Sequence, residues 1–297
     1  MSVLKVYSDR PDPARVKRMG HLWHFGHFMH DFLLPMNDWR LAHQPDLSTT
    51  TLYMCNTKDQ SVGSFHGIVE EFLQTELKLV SPDEFREIPG QDLKLKAYLF
   101  GPYSRQTCAN MLSTARHLYG LDQQTEPEFD VVLIERGTAR LGFENDAGLK
   151  DKARANGAQR RFIVNHADLV DFLSNRYGNR FCNVVLEEMP FRDQVRLFFG
   201  ARLVLGQHGA GLNHLLWMNR PGAAVVELGK PLTPPFCNMC KAKPMRYVNL
   251  QRIEGPPTTN RKRVMPGTGQ PKTRALIVNL QKLESVLNDL ETSQNAL

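Results

Sequence analysis

Residues Ala201–Leu228, ARLVLGQHGAGLNHLLWMNRPGAAVVEL, decide the fold class. They spell strand, glycine-rich turn, helix, turn, strand. Arg202–Leu205 is a short apolar run that stops at Gly206. Gln207-His208-Gly209-Ala210-Gly211 follows, and then Leu212–Met218, with apolar side chains at helical spacing. Pro221-Gly222 turns the chain into Ala223–Leu228, a second buried strand with Glu227 near its end. A turn of small residues between strand and helix lets backbone N–H groups approach an anion. Gly209 and Gly211 leave room for that approach, with Ala210 between them, and His208 adds a proton donor. The same pattern also fits a plain tight turn of an α/β domain.

Outward from this unit the chain keeps alternating. Before it come strand Asp130–Ile134, a helix around Ala147–Ala155, strand Arg161–Val164, helix Ala167–Tyr177, strand Cys182–Leu186 and helix Arg192–Phe199. After it comes strand Tyr247–Leu250. The N-terminal part gives strand Val3–Tyr7, a polar loop over Asp9–Met19, and a helix from Gly26 to Leu41 that Pro35 should kink or end. Strand Thr50–Met54, an amphipathic helix Gly67–Leu77, strand Leu93–Phe100 and helix Gln106–Leu118 complete it. Such alternation favours parallel sheets covered on both faces.

The polar stretch Asp122–Phe129, DQQTEPEF, divides the chain. The expected organisation is one domain over residues 1–121 and a second over 130–254. A flexible loop over 255–271, rich in Pro and Gly, carries the basic run Arg261-Lys262-Arg263. A C-terminal amphipathic helix fills 272–297, with Leu276, Leu280, Leu283 and Leu287 on one side.

The 297 residues are enough for two cores, and 41% hydrophobic with 23% charged residues is a globular composition. Lys and Arg total 37 against 31 Asp and Glu, a net charge of +6 that suits an anionic ligand. Neither an aromatic RNP-type motif nor a dense basic helix is present, so nucleic acid is not an expected partner. The five cysteines do not form a secreted disulfide framework, and the lone Cys237-x-x-Cys240 lacks the second pair that a zinc site wants. The N-terminal residues lack the apolar core of a signal peptide, and no run of about 18 apolar residues occurs. A cytoplasmic location is therefore expected, or else a lumenal domain without its anchor. The basic run leaves room for peripheral contact with a membrane.

Three stretches resemble glycosyltransferase family 61. GQHGAGLNHLLWMNRPGAAVVEL is similar to the family's turn-and-helix motif followed by its Pro-Gly turn and VVEL strand. VVLIERGTAR, Val131–Arg140, resembles its strand-then-arginine motif, with Arg136 and Arg140 at matching spacing. HFGHFMHDFLLP, His24–Pro35, resembles its first motif. The resemblance covers roughly residues 20 to 250. It implies a GT-B-like α/β fold, two Rossmann-type domains facing a cleft. It also implies an inverting transfer of a sugar, xylose or GlcNAc, from a UDP-sugar donor to a hydroxyl of a glycan acceptor.

The chemistry such a reaction needs can be sought among the residues. A single displacement requires a base for the acceptor hydroxyl. His27 and Asp31 are i,i+4 neighbours on a helix, and a carboxylate beside an imidazole fixes the ring and favours its taking a proton. Either Asp31 is the base, or His27 is the base within a His27–Asp31 pair. The leaving nucleoside diphosphate gathers negative charge. The chain has no Asp-x-Asp pair of the kind that holds a divalent ion, so the expectation is metal-independent catalysis with no cofactor beyond the donor. Fixed cations must then serve. Arg136 and Arg140, just after a strand, can bind phosphate oxygens bidentately. Glu227 can accept from a ribose diol. Asn213 either binds the donor or closes its own helix. Two rival readings use the same residues. His24, His27, His30 and Asp31 could hold a metal for a phosphoester hydrolase, or the chain could be a non-catalytic nucleotide- or RNA-binding protein.

Overall fold

The computed structural model describes residues 2–8, 22, 24–57, 60–98, 103–123, 127–136, 161–229, 235–250, 260–263 and 273–294. The chain contains two compact units, one holding the described residues up to Leu118 and the other those from Tyr119 onward. Both are α/β with parallel sheets. Arg140, the loop over Asp9–Met19 and the helix expected around Ala147–Ala155 lie outside the described residues. No helix among the described residues is long and apolar enough to cross a membrane.

In the first unit, β1 (Ser2–Ser8), β2 (Thr50–Cys55), β3 (Glu76–Val80) and β4 (Gln91–Leu95) form a parallel sheet in the order β3-β2-β1-β4. The connections step outward from β1 to β3 and then return to its other side. The order therefore reverses between β1 and β4, where a doubly wound sheet leaves a crevice at the carboxyl ends of its strands. Leu4 and Val6 of β1 are buried opposite Leu52 and Met54 of β2.

The helical segment after β1 has three parts: α1 (Phe25–Phe28), a π turn (Met29–Leu33) and α2 (Leu34–His43). Pro35 sits in the first turn of α2, where its missing N–H is tolerated. That missing N–H is also the donor an α-helix would aim at the Asp31 carbonyl. The Ser8 hydroxyl donates to this carbonyl instead, at 2.9 Å, and ties the π turn to the end of β1.

The helix expected over Gly67–Leu77 stops earlier. It is α3 (His66–Leu73), closed by Gln74 in the left-handed region, and ELKLV becomes the edge strand β3. Leu73 and Leu77 are four apart, so helical periodicity runs straight through the break. The Thr75 hydroxyl, donating to the Thr50 carbonyl at 2.5 Å, draws the chain onto β2. A short helix, α4 (Pro82–Glu87), opens with a capping box of Ser81 and Glu84. The last helix of this part, α5, is Arg105–Tyr119.

In the second unit, the main sheet comprises β5 (Val131–Glu135), β7 (Phe181–Val185), β8 (Leu203–Gln207), β9 (Ala224–Leu228) and β10 (Arg246–Asn249). All its pairings are parallel, in the order β10-β9-β8-β5-β7, so the order reverses between β5 and β8. Leu133, Leu205 and Val226 are fully buried on adjacent strands. Helices α6 (His166–Tyr177), α7 (Phe191–Gly200), α8 (Pro235–Ala242) and α9 (Leu280–Gln294) belong to the same unit.

Two expectations for the end of the chain are corrected. The basic run is not in a loop: Arg261-Lys262-Arg263 lies in β11 (Asn260–Arg263), antiparallel to β12 (Thr273–Leu276), which in turn pairs with β6 (Arg161–Ile163). The C-terminal helix begins at Leu280, not Lys272. Leu276 belongs to β12, yet it is buried in one core with Leu283 and Leu287, so the four-residue repeat of leucines survives the change of structure. Asn165 fastens this junction, donating to the Val278 carbonyl and accepting from its N–H, both at 2.9 Å.

The helix expected at Leu212–Met218 is a 3-10 helix, Ala210–Leu216. Spacings of three and four suit both forms. His214 faces inward here, stacked on Phe198 and accepting from the Trp217 indole N–H at 3.2 Å. Burial drives its pKa down to about 3, so it stays neutral in the folded protein. The unfolded chain protonates His214 below about pH 6.5, and the folded one only near 3, so acid favours unfolding across that window. Urea denaturation between pH 7.5 and pH 5 should show a loss of stability with falling pH. His214→Gln should remove from that slope a contribution of up to about 1.4 kcal/mol per pH unit.

Candidate active site

The second unit gathers polar groups where the order of its sheet reverses. Arg136 is the first residue after β5, and His208 the first after β8. The Arg136 Nη2 donates to the His208 carbonyl at 2.7 Å, bridging the two strand ends. Gly209 is extended, with φ 171° and ψ 179°, so its backbone alone would admit any residue. Space does not: a Cβ there would lie 1.9 Å from Arg136 Nη2. Gly211 is also confined, its Cβ position 3.1 Å from both Ile134 and Leu186. Seven residues of 3-10 helix follow the turn in place of an α-helix. The cationic character of the place therefore comes from side chains, not from a long helix dipole.

His208 is held on its other side. Its Nδ1 lies 2.6 Å from Glu227 Oε1 at the end of β9, and the Tyr247 hydroxyl of β10 donates to Glu227 Oε2. The Phe236 ring of α8 packs edge-on against the imidazole at 5.2 Å. Glu227 is 1% exposed. Burial, and then the hydrogen bond to Glu227, push the Tyr247 phenol far above its ordinary range, so it remains a donor. The expectation that Glu227 accepts from a ribose diol meets a carboxylate whose two oxygens already have partners inside the protein. Asn213 is also buried, and its amide donates to the Ala210 carbonyl at 2.6 Å, closing its own turn.

In the first unit, the π turn carries the second polar group. His27 Nδ1 and Asp31 Oδ2 are 2.8 Å apart. The Asp31 side chain is fully buried, and the His27 side chain is 12% exposed. His30 turns elsewhere, with its ring nitrogens 3.2 and 3.3 Å from the Tyr103 hydroxyl. Burial first, and then the charges of Cys108 and Asp31, raise the Tyr103 phenol well above its usual range. The His24 carbonyl accepts the Phe28 N–H at 2.9 Å, at the start of α1. Among the described residues, no three His, Cys, Asp or Glu side chains converge as a metal-holding group. Cys237 and Cys240 are free thiols on α8.

Four contacts of these groups are not read from the sequence: Ser8, Tyr103, Phe236 and Tyr247. Each is remote in sequence from its partner. Tyr247 alone leaves a trace. It alternates with Asn249 on β10, and Asn249 lies opposite Glu227, so all three share one face of the sheet.

The Glycosyltransferase 61 family model matches residues 25–226, a span that holds His27, Asp31, Arg136 and the His208–Asn213 turn. The chain belongs to glycosyltransferase family 61. It is a glycosyltransferase, an enzyme that moves sugar from a donor to an acceptor, and this sets aside the hydrolase and non-catalytic readings. Protein O-linked-mannose beta-1,4-N-acetylglucosaminyltransferase 2 of Bos taurus is 41% identical over 70 residues, 24% of this chain and 12% of that protein. The same-named protein of Takifugu rubripes is 40% identical over 110 residues, 34% of this chain and 18% of its own length. The Homo sapiens protein is 40% identical over 70 residues. The chain thus matches less than a fifth of the length of these relatives.

Replacing Gly209 by Ala should displace the Arg136 guanidinium while leaving the apolar sheet intact. The expected result is a loss of transferase activity of about tenfold or more, the scale of one charge-assisted hydrogen bond, with an unchanged circular dichroism spectrum. Activity equal to the unsubstituted enzyme would show that the Arg136–His208 contact is dispensable.

Proposed function

We propose that this glycosyltransferase moves a sugar from a UDP-linked donor to a glycan hydroxyl by one inverting displacement that needs no metal ion. The observation that carries the reading is the 2.8 Å contact between His27 and the fully buried Asp31. A base must reach the acceptor, and of the two groups His27 is the more exposed. His27 is therefore the base in this reading, and Asp31 holds its ring and meets the charge that forms. The acceptor hydroxyl gives its proton to His27 Nε2. Its oxygen forms the new bond to the anomeric carbon as the bond from that carbon to the diphosphate oxygen breaks on the opposite face.

The diphosphate leaves with the electron pair; the Arg136 guanidinium is the fixed charge proposed to meet it, with His208 as a further hydrogen-bond donor. Arg140 is proposed for the same task on the strength of its spacing alone. The backbone of the Gly209-Ala210-Gly211 turn approaches the phosphates. In this scheme the units are the two halves of a GT-B enzyme, the one up to Leu118 serving the acceptor and the one from Tyr119 onward the donor. The absence of an Asp-x-Asp pair supports metal independence, and no further cofactor is required. Among donors, UDP-GlcNAc is favoured over UDP-xylose, because the relatives are named as N-acetylglucosaminyltransferases.

Thermal stability measured with UDP, GDP, CMP and UDP-sugars, each with EDTA and with added Mn²⁺, tests the donor. UDP at about 100 times its Kd should stabilise the fold by about 2.7 kcal/mol, with EDTA present or absent. His27→Gln should lower transfer by about 10²- to 10⁴-fold while UDP affinity stays the same. Full transfer by this variant would remove His27 from the role of base, and stabilisation by UDP only when Mn²⁺ is added would remove metal independence.

A further inference from the structure

Glu227 and Tyr247 lie beyond the end of the family match, and the reaction proposed above gives them no part. Their geometry does. Glu227 stands one place before the end of β9 with 1% exposure, and an isolated carboxylate cannot sit in such a place without a partner of opposite charge or full hydrogen bonding. Its oxygens meet His208 Nδ1 at 2.6 Å and the Tyr247 hydroxyl. At 1% exposure, Glu227 offers almost no open surface to a ribose diol. With Nδ1 committed to Glu227, the imidazole presents its opposite edge, Nε2, away from the carboxylate, and Phe236 fixes the plane of the ring. The His208 carbonyl meanwhile holds the Arg136 guanidinium on the same turn.

We propose that Glu227 and Tyr247 are positioning residues that hold His208 as an imidazolium directed at the diphosphate of the donor, and that they do not bind its ribose. This rests on the donor reading given above. Among the described residues, the groups around His208 include Glu227 on β9, Tyr247 on β10 through its bond to Glu227, and Arg136 after β5. From α8 come Phe236 in ring contact and the thiols of Cys237 and Cys240, which act on Tyr247 and on Glu227 respectively. Lys243, just past α8, faces the Cys240 side of this group and donates to the Leu216 carbonyl. Glu227 is the carboxylate in direct contact with the imidazole, and the Tyr247 donor bond draws part of its charge away. Removing the carboxylate should therefore weaken the imidazolium, and removing the phenol hydroxyl should strengthen it.

The test is calorimetric binding of UDP and of 2′,3′-dideoxy-UDP, which keeps the diphosphate and lacks the diol, between pH 6 and pH 8.5. For the unsubstituted enzyme, UDP affinity should fall as pH rises. Glu227→Gln should move that fall to lower pH and weaken UDP at pH 7.5 by about tenfold, with an equal loss for the dideoxy nucleotide. Tyr247→Phe, which keeps the carboxylate and remains informative if Glu227→Gln fails to fold, should move the fall to higher pH. A Glu227→Gln loss confined to UDP would assign Glu227 to the ribose and overturn the proposal. So would pH profiles that neither substitution moves, with the donor reading left standing. Failure of the unsubstituted enzyme to bind any nucleoside diphosphate would overturn both.

Discussion

A parallel sheet covered on both faces has room for charged side chains only at the ends of its strands. In the second unit, Leu133, Leu205 and Val226 sit side by side with no exposure at all. A charge placed among them would lose its hydration without gaining a partner, which costs several kcal/mol or more. Polar groups are thereby driven to the carboxyl ends, and the reversal of strand order between β5 and β8 opens a gap there. Arg136, His208 and Glu227 all follow from that restriction. Arg136 and His208 are each the first residue after a mainly apolar strand, and Glu227 stands one place before the end of its own.

The two units handle a carboxylate and an imidazole in related ways. In both, a buried acid grips the Nδ1 edge of a histidine that keeps some exposure: Asp31 with His27, and Glu227 with His208. The supports differ. Asp31 contacts His27 within one helical segment, through i,i+4 spacing and a π turn. Glu227 contacts His208 across neighbouring strands and takes a second bond from a third strand. A local contact tolerates changes elsewhere in the sheet. The cross-strand one depends on the register of β8, β9 and β10, as the pairing of Gly206 with Glu227 and of Glu227 with Asn249 shows.

Much of this is legible in the sequence, and what is not has physical causes. The apolar runs of β5, β7, β8 and β9 and the amphipathic α5, α6 and α7 stand out because burial imposes its period on them. The His27–Asp31 contact is legible because it depends on spacing within one element. The break at Gln74 is hidden because Leu73 and Leu77 satisfy a helix whether or not the chain continues as one. The 3-10 form of Ala210–Leu216 is hidden because three- and four-residue spacings fit either geometry. Strand order, and with it the position of Arg136 beside His208, depends on which crossovers the chain takes. Composition and periodicity do not encode that choice.

Pro35 shows how one residue can be read correctly and still conceal its main effect. A proline inside a helical pattern predicts a kink or an end, and the segment does change form there. Its larger consequence falls four residues earlier, where the Asp31 carbonyl loses its usual donor. A buried carbonyl left without a partner costs about 1–3 kcal/mol, so the chain must find another. Ser8 is that donor, and it stands at the end of β1, where the sheet order reverses. The proline thus frees an acceptor, the serine takes it, and the bond fixes Asp31 at the carboxyl end of the central strand. His27, one helical turn before Asp31, is set there as well. What reads in sequence as a break in a helix is, in the folded chain, the reason the carboxylate–imidazole pair stands where a doubly wound sheet leaves space for a ligand.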